Sequence, residues 1–228
     1  MKNLKSSFFV FTLFFVYALC LNAQTKTSDL EKKLIEAGMV DVQNIVPSVW
    51  VELKYATTDN FTKIVLYEGG LNKAYLHPLA AQKLSKAREI LKKTNPNLSL
   101  LIYDAARPRS VQRRMYEVVK DTPQHDYVAE PNRTGLHNYG MAIDLTLCDE
   151  KGFPLDMGTP FDFFGQAAAI RDEDGLIEKG ILTKKQVENR RLLRKVMTEA
   201  GFFAIQGEWW HFNAVSLSNA RANYKLLE

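Results

Sequence analysis

Cysteine is nearly missing from this chain, which holds two in 228 residues, Cys20 and Cys148. Cys20 lies in an apolar leader, so removal of that leader strands Cys148, excludes an internal disulfide and leaves the fold to rest on its core. Histidine is also scarce, with four copies, which keeps the candidates for imidazole chemistry few. An excess of one charge is lacking too. The formal net charge of +4 falls to +2 when Lys2 and Lys5 leave with the leader, and no Lys/Arg block exists to recruit a nucleic acid. Beyond the leader there is no second long apolar run, no low-complexity tract and no internal repeat, so no stable membrane span is expected after cleavage.

The leader itself is the apolar run Phe8 to Leu21 behind Lys2 and Lys5, followed by Asn22-Ala23-Gln24. A basic start, an apolar stretch and a small residue at the cut site read as a secretory signal peptide over residues 1–23, cleaved after Ala23. The run falls short of the roughly 20 apolar residues of a spanning helix. A lipoprotein signal on Cys20 is the alternative, set back by the bulky Leu19 beside it. The expectation is an exported, periplasmic protein whose residues 24–228 form one domain.

Along that domain, residues 28–40 read as a short helix and Ser48 to Ala56 as a strand. Leu79, Leu84, Ala87, Ile90 and Leu91 form a helical stripe across Pro78 to Thr94, stopped by Asn95-Pro96. Residues 98–105 are a continuous apolar run of strand length, buried on both faces, that ends at Arg107-Pro108, where the proline keeps Arg107 out of the helical region. Val111, Met115, Val118 and Val119 recur at helical spacing, and the polar stretch 121–134 is a loop. Ile143 to Leu147 alternates as a strand. Thr183 and Gln186 make a capping box for a helix through Ala200, stopped by Gly201. Phe202 to Ala214 reads as one or two strands broken near Gly207. Helices and strands mixed without regular alternation imply an α+β class.

Of the four histidines, His77 at a helix start and His125 in a polar loop suit exposed structural roles. His137 differs. It stands seven residues before Asp144 in "HNYGMAID", with Gly140 and Ala142 giving backbone freedom and room, so a loop imidazole and a strand carboxylate can fold onto one cation. An ordinary hydrogen-bonded pair satisfies the same pattern. His211 closes "GEWWHF" with Glu208 three residues before it. A catalytic zinc site needs about three protein ligands, an open position and a carboxylate that is not a ligand. His137, Asp144 and His211 provide the first and Glu208 the last, with Trp209 and Trp210 as a dry wall that raises carboxylate basicity. Core tryptophans beside a surface glutamate are the plainer reading. Arg107 at the end of a buried strand needs an anion: either a developing oxyanion or a salt bridge to Asp104 or Asp144.

The motifs "YDAARP", "HNYGMAIDLTL", "MGTPFDF" and "EWWHF", with "KYATTDNFT" and "NRRLLRKVMTEAGF", occur in an order and at separations similar to those of the zinc D-alanyl-D-alanine dipeptidases, a family associated with vancomycin resistance and with D-Ala-D-Ala scavenging. The resemblance covers residues 45–213. Its His-to-Asp motif is shared with D,D- and L,D-carboxypeptidases and hedgehog-like domains, whereas "KYAT", "FDF" and "EWWH" together point to the dipeptidases. The resemblance implies a single domain with a central antiparallel sheet flanked by helices. It implies one Zn2+ per chain on His137, Asp144 and His211, Glu208 as general base and acid, and Arg107 on the tetrahedral intermediate. Asp162 would receive the ammonium of a small D-amino-acid dipeptide, with Tyr55 lining that end. One position departs from the pattern: Gly135 stands where the family usually has serine, with Thr134 beside it. Two rival readings carry the same residues, a murein D,D- or L,D-carboxypeptidase and a non-catalytic zinc-containing wall-binding module.

Overall fold

The computed structural model describes residues 27–228 except 129 and 131, so the expected signal peptide and Cys20 lie outside the described residues. Among the described residues seven strands are seen: β1 (Val40–Asp41), β2 (Trp50–Val51), β3 (Tyr75–Leu76), β4 (Leu98–Asp104), β5 (Ala142–Asp149), β6 (Phe203–Ala204) and β7 (His211–Asn213). The helices are α1 (Asp29–Glu36), α2 (Val42–Ile45), α3 (Pro78–Thr94), α4 (Arg109–Val119), α5 (Glu173–Glu178), α6 (Lys184–Glu199) and α7 (Leu217–Asn223). No helix among the described residues is long and apolar enough to cross a membrane.

Five strands form one sheet in the order β2-β4-β5-β7-β6, and β1 pairs with β3 apart from it. The class is α+β, as the mixed pattern implies, but the sheet is mixed rather than antiparallel. Its β2 edge runs parallel to β4 while the other pairs are antiparallel. The cause is the connection: residues 52–97 travel away and return through α3, the kind of long crossover a parallel pair requires. The strand expected over Ser48–Ala56 is correspondingly short. After Val51 the chain turns into a 3-10 turn, Lys54–Ala56, because the Leu66 and Tyr67 N–H groups both donate to the Tyr55 carbonyl and pull it inward.

The remaining elements follow their local chemistry. Ser28 caps α1 by accepting from the Glu31 N–H, and Gly38 at φ +83° ends it short of residue 40. Helix α3 lays Ala80, Ala81, Leu84, Ala87 and Leu91 against the sheet. Each such leucine contributes about 1.5–3 kcal/mol by leaving water. Thr183 and Gln186 form the expected reciprocal cap of α6. The loop 121–134 contains a 3-10 turn at Pro123–Tyr127, and the final stretch divides into β6 and β7 on either side of Gly207. Strand β4 is buried from Ser99 onward, as a run without polar alternation requires.

Candidate metal centre and its pocket

The register of the central strands decides where the chemistry gathers. Asp104 of β4 stands opposite Asp144 of β5, and Asp144 stands opposite His211 of β7, so one row across three strands carries two carboxylates and an imidazole. The β4–β5 register shifts between Ile102 and Asp104, which sets that row at the sheet's end. His137 reaches it from a 3-10 turn, Leu136–Tyr139, closed by Gly140 at φ +63°. A Cβ on Gly140 would lie 2.5 Å from Met39 Sδ and 2.9 Å from the His77 backbone nitrogen, so only glycine fits there.

Each histidine has one nitrogen committed. His137 Nδ1–H donates to the Ala105 carbonyl at 2.7 Å, and His211 Nε2–H donates to Asn213 Oδ1 at 2.8 Å. The other two nitrogens, His137 Nε2 and His211 Nδ1, face each other at 3.2 Å. Asp144 completes the set, with Oδ1 2.9 Å from His211 Nδ1 and Oδ2 3.4 Å from His137 Nε2. All three ligand atoms fall within 4.8 Å of one another. Two lone pairs and a carboxylate converging in a buried corner repel unless a cation or proton stands between them, so this donor set fits a metal ion of the zinc type. Without one, a proton serves. Burial alone would lower the His211 pKa, but the hydrogen bond to Asp144 and its charge carry it up to about 8. Burial would raise the Asp144 carboxyl, yet the two imidazoles hold it far below its ordinary value.

Around this corner lies a cavity of about 520 Å³, lined among others by Tyr55, Arg107, Asp162, Glu208, Trp210 and His211. Glu208 stands 4.0 Å from His211 Nδ1 with its side chain 38% exposed, and burial lifts its carboxyl above the ordinary value. Only one tryptophan walls the cavity. Trp210 packs edge-on to Phe161 at 5.5 Å, whereas Trp209 faces away and donates from Nε1 to Thr159 Oγ1 at 2.8 Å. The pair therefore splits its duties across the bend before β7.

Arg107 makes the salt bridges expected of it, to Asp104 closely and to Asp144 at longer range. Its Nε donates to Asp104 Oδ2 at 2.9 Å and its Nη2 to the same oxygen at 2.5 Å, while Nη1 donates to Gln112 Oε1 at 2.9 Å. Nη2 also lies 3.9 Å from Asp144 Oδ2. The guanidinium lies over the Tyr55 ring at 4.9 Å and still lines the cavity. The Tyr67 hydroxyl donates to the other Asp104 oxygen, so a buried carboxylate fixes the arginine.

Asp162 accepts from the Tyr55 hydroxyl at 2.9 Å. Its backbone is left-handed, φ +58°, a conformation that costs an ordinary residue about 1 kcal/mol or more and that persists at binding sites. Burial, with the charge of Asp144, pushes its carboxyl well above the ordinary range. Gly135 lines the same cavity with φ −101°, and a Cβ there would meet nothing within 4 Å. Thr134 Oγ1 instead lies 3.4 Å from the Tyr139 hydroxyl.

His77 and His125 stand outside the cavity. His77 caps α3 by accepting from the Leu79 N–H and is half-buried against Tyr224, so it is less exposed than expected. His125 is exposed and hydrogen-bonds the Thr122 carbonyl. Cys148 is buried four residues along β5 from Asp144, and burial pushes its thiol up to about 12, so it is inert.

The residue that the sequence reading passed over is Arg190. It is fully buried, donates from Nε to the Met157 carbonyl at 2.6 Å and from Nη2 to Thr159 Oγ1 at 3.4 Å, and lies over the Trp209 ring at 5.8 Å. Asn189 donates to the Asp156 carbonyl and Gln186 to its carboxylate. Helix α6 therefore clasps residues 156–159, the approach to Asp162. The signal was available: Arg190 falls in the apolar stripe of Val187, Leu193, Val196 and Met197, where a charge needs a reason.

The chain is 37% identical over 174 residues to the D-alanyl-D-alanine dipeptidase of Escherichia coli (strain K12), covering 76% of this chain and 83% of that protein. It is 30% identical over 194 residues to the D-alanyl-D-alanine dipeptidase of Enterococcus faecium, covering 78% and 92% respectively. The profile of the M15 peptidases described as D-ala-D-ala dipeptidase matches residues 35–225, and this chain belongs to that metal-dependent peptidase family.

Proposed function

We propose that this protein hydrolyses D-Ala-D-Ala to two molecules of D-alanine, with one zinc ion held by His137, Asp144 and His211. The observation that carries the reading is the convergence of these three ligand atoms within 4.8 Å beside the Glu208 carboxylate. When bound, the metal supplies Lewis acidity, which polarises a carbonyl oxygen and makes water acidic near neutral pH.

The chain's own residues do the rest. Glu208 is close enough to the ligands to take the proton of an attacking water and later return it to the leaving amine. Burial favours that exchange by lifting the Glu208 pKa toward the working pH. Arg107, fixed by Asp104 and Gln112, offers a preorganised positive charge where the carbonyl oxygen becomes negative. Asp162, poor in partners apart from Tyr55 and disfavoured by burial, gains from an incoming ammonium group. An acylated amine would leave that carboxylate unpaired, which supports a dipeptidase over an enzyme acting on blocked or longer peptides.

The test is release of D-alanine from D-Ala-D-Ala and from its N-acetyl derivative, with metal content measured on the same protein. Turnover of the free dipeptide that is lost with a chelator and regained with zinc is expected. Glu208→Ala should keep its zinc and lose about 10²–10⁴ in kcat. Preferential cleavage of the acetylated compound would instead favour a carboxypeptidase, and zinc binding without any cleavage a wall-binding module.

A further inference from the structure

We propose that Arg171 is the anchor for the substrate's free carboxylate, an inference that rests on the dipeptidase reading and extends it. A dipeptide in neutral water carries two opposite charges, and the cavity has been given a partner for only one, the ammonium at Asp162. Two arginines line the cavity. Arg107 is committed to Asp104 and Gln112 on three of its donors. Arg171 is exposed at the rim and, among the described residues, has no carboxylate partner.

Its placement is built into the backbone. The Ile170 N–H donates to the Gln206 carbonyl at 3.1 Å, fastening the residue next to Arg171 beside the segment that carries Glu208. Asp172, on the other side, caps α5 by accepting from the Gly175 N–H at 3.2 Å. Arg171 is thus held between two fixed neighbours with its fork of donors left for an anion. Other cavity groups are less suited. Asn138 donates to the Arg107 carbonyl, and Gly135 presents no side chain to the wall. With Asp162 holding one terminus and Arg171 the other, the cavity measures substrate length by charge: a third residue at either end moves a terminal charge away from its partner.

The experiment compares D-Ala-D-Ala with its C-terminal amide, D-alanyl-D-alaninamide, on zinc-loaded wild type, Arg171→Gln and Arg171→Lys. Wild type should favour the free acid by about tenfold in kcat/KM, the low end for a charge-assisted hydrogen bond at a solvent-exposed rim. Arg171→Gln should lose that factor on the acid, mainly through KM, change little on the amide, and keep its zinc; Arg171→Lys should recover part of it. Calorimetric titration of both compounds into Glu208→Gln, with and without Arg171→Gln, reads the same preference without turnover. An acid-to-amide ratio left unchanged by Arg171→Gln overturns the assignment while leaving the dipeptidase intact. If wild type cleaves neither compound the dipeptidase reading fails, and the calorimetric arm then decides carboxylate recognition by itself.

Discussion

The two ends of the cavity are built differently. The metal corner stands on adjacent strands, with Asp144 and His211 in register across β5 and β7 and His137 tied to the Ala105 carbonyl. The facing wall, residues 156–171, contains no strand, and its approach at 156–159 is held by side chains from Gln186, Asn189 and Arg190. A ladder of backbone hydrogen bonds barely depends on which side chains it carries, whereas a side-chain clasp can be undone one residue at a time. The ligand corner is thereby insulated from changes in that wall.

This division can be broken from either side. The largest effect is expected from His211→Ala, which removes a ligand from the corner: zinc binding should be lost and kcat/KM should fall by at least about 10⁴, beyond the share of any single proton-transfer group. Plasma emission for metal and a D-alanine assay would check it, and a zinc-loaded active variant would contradict the ligand set. Next comes Asp162→Asn, which should keep the metal, lower kcat/KM on D-Ala-D-Ala about 100-fold and narrow the gap between free and N-acetylated dipeptide. An unchanged gap would remove Asp162 from ammonium binding.

Arg190→Met sharpens the contrast, because the replacement fills similar volume and a buried charge adds little net stability. Its thermal midpoint should move by only a few degrees and its zinc content not at all, while KM for D-Ala-D-Ala rises about tenfold as the approach to Asp162 loosens. A KM equal to wild type would show that the clasp does not reach the wall's function. The smallest effect lies at Asp156, whose carboxyl is held below its ordinary value by the Gln186 amide and the Gly158 N–H. A depressed carboxylate adds stability above its unfolded pKa and loses it as pH falls through the folded one. The urea midpoint of wild type should therefore exceed that of Asp156→Asn slightly at pH 7, with the gap closing toward pH 3.

How much of this was readable beforehand follows the same line. The corner was legible because strands and turns space their side chains in ways that chain order preserves, so His137, Asp144, Glu208 and His211 could be named from types and separations. Strand β4, helix α3 and the capped α6 were equally plain in apolar periodicity. The parallel β2 edge was not, since pairing direction depends on where a 46-residue excursion returns. Asp162 is singled out in the sequence only by the family likeness. Arg190 is marked only by its place in the apolar stripe of α6, Arg171 differs from other arginines solely in its three-dimensional neighbours, and the opposite facing of Trp209 and Trp210 depends on the chain's path.

The row formed by Asp104, Asp144 and His211 has a consequence for how such a chain can change length. Side chains alternate along β5, so one residue inserted between Gly140 and Asp144 would turn the carboxylate to the far face of the sheet and bring Ile143 into its place. Substitutions can accumulate around the row, but insertions and deletions between His137 and His211 are tolerable only in the stretch that no strand counts. That stretch includes residues 156–171, where a change of chain length leaves the register of the row untouched.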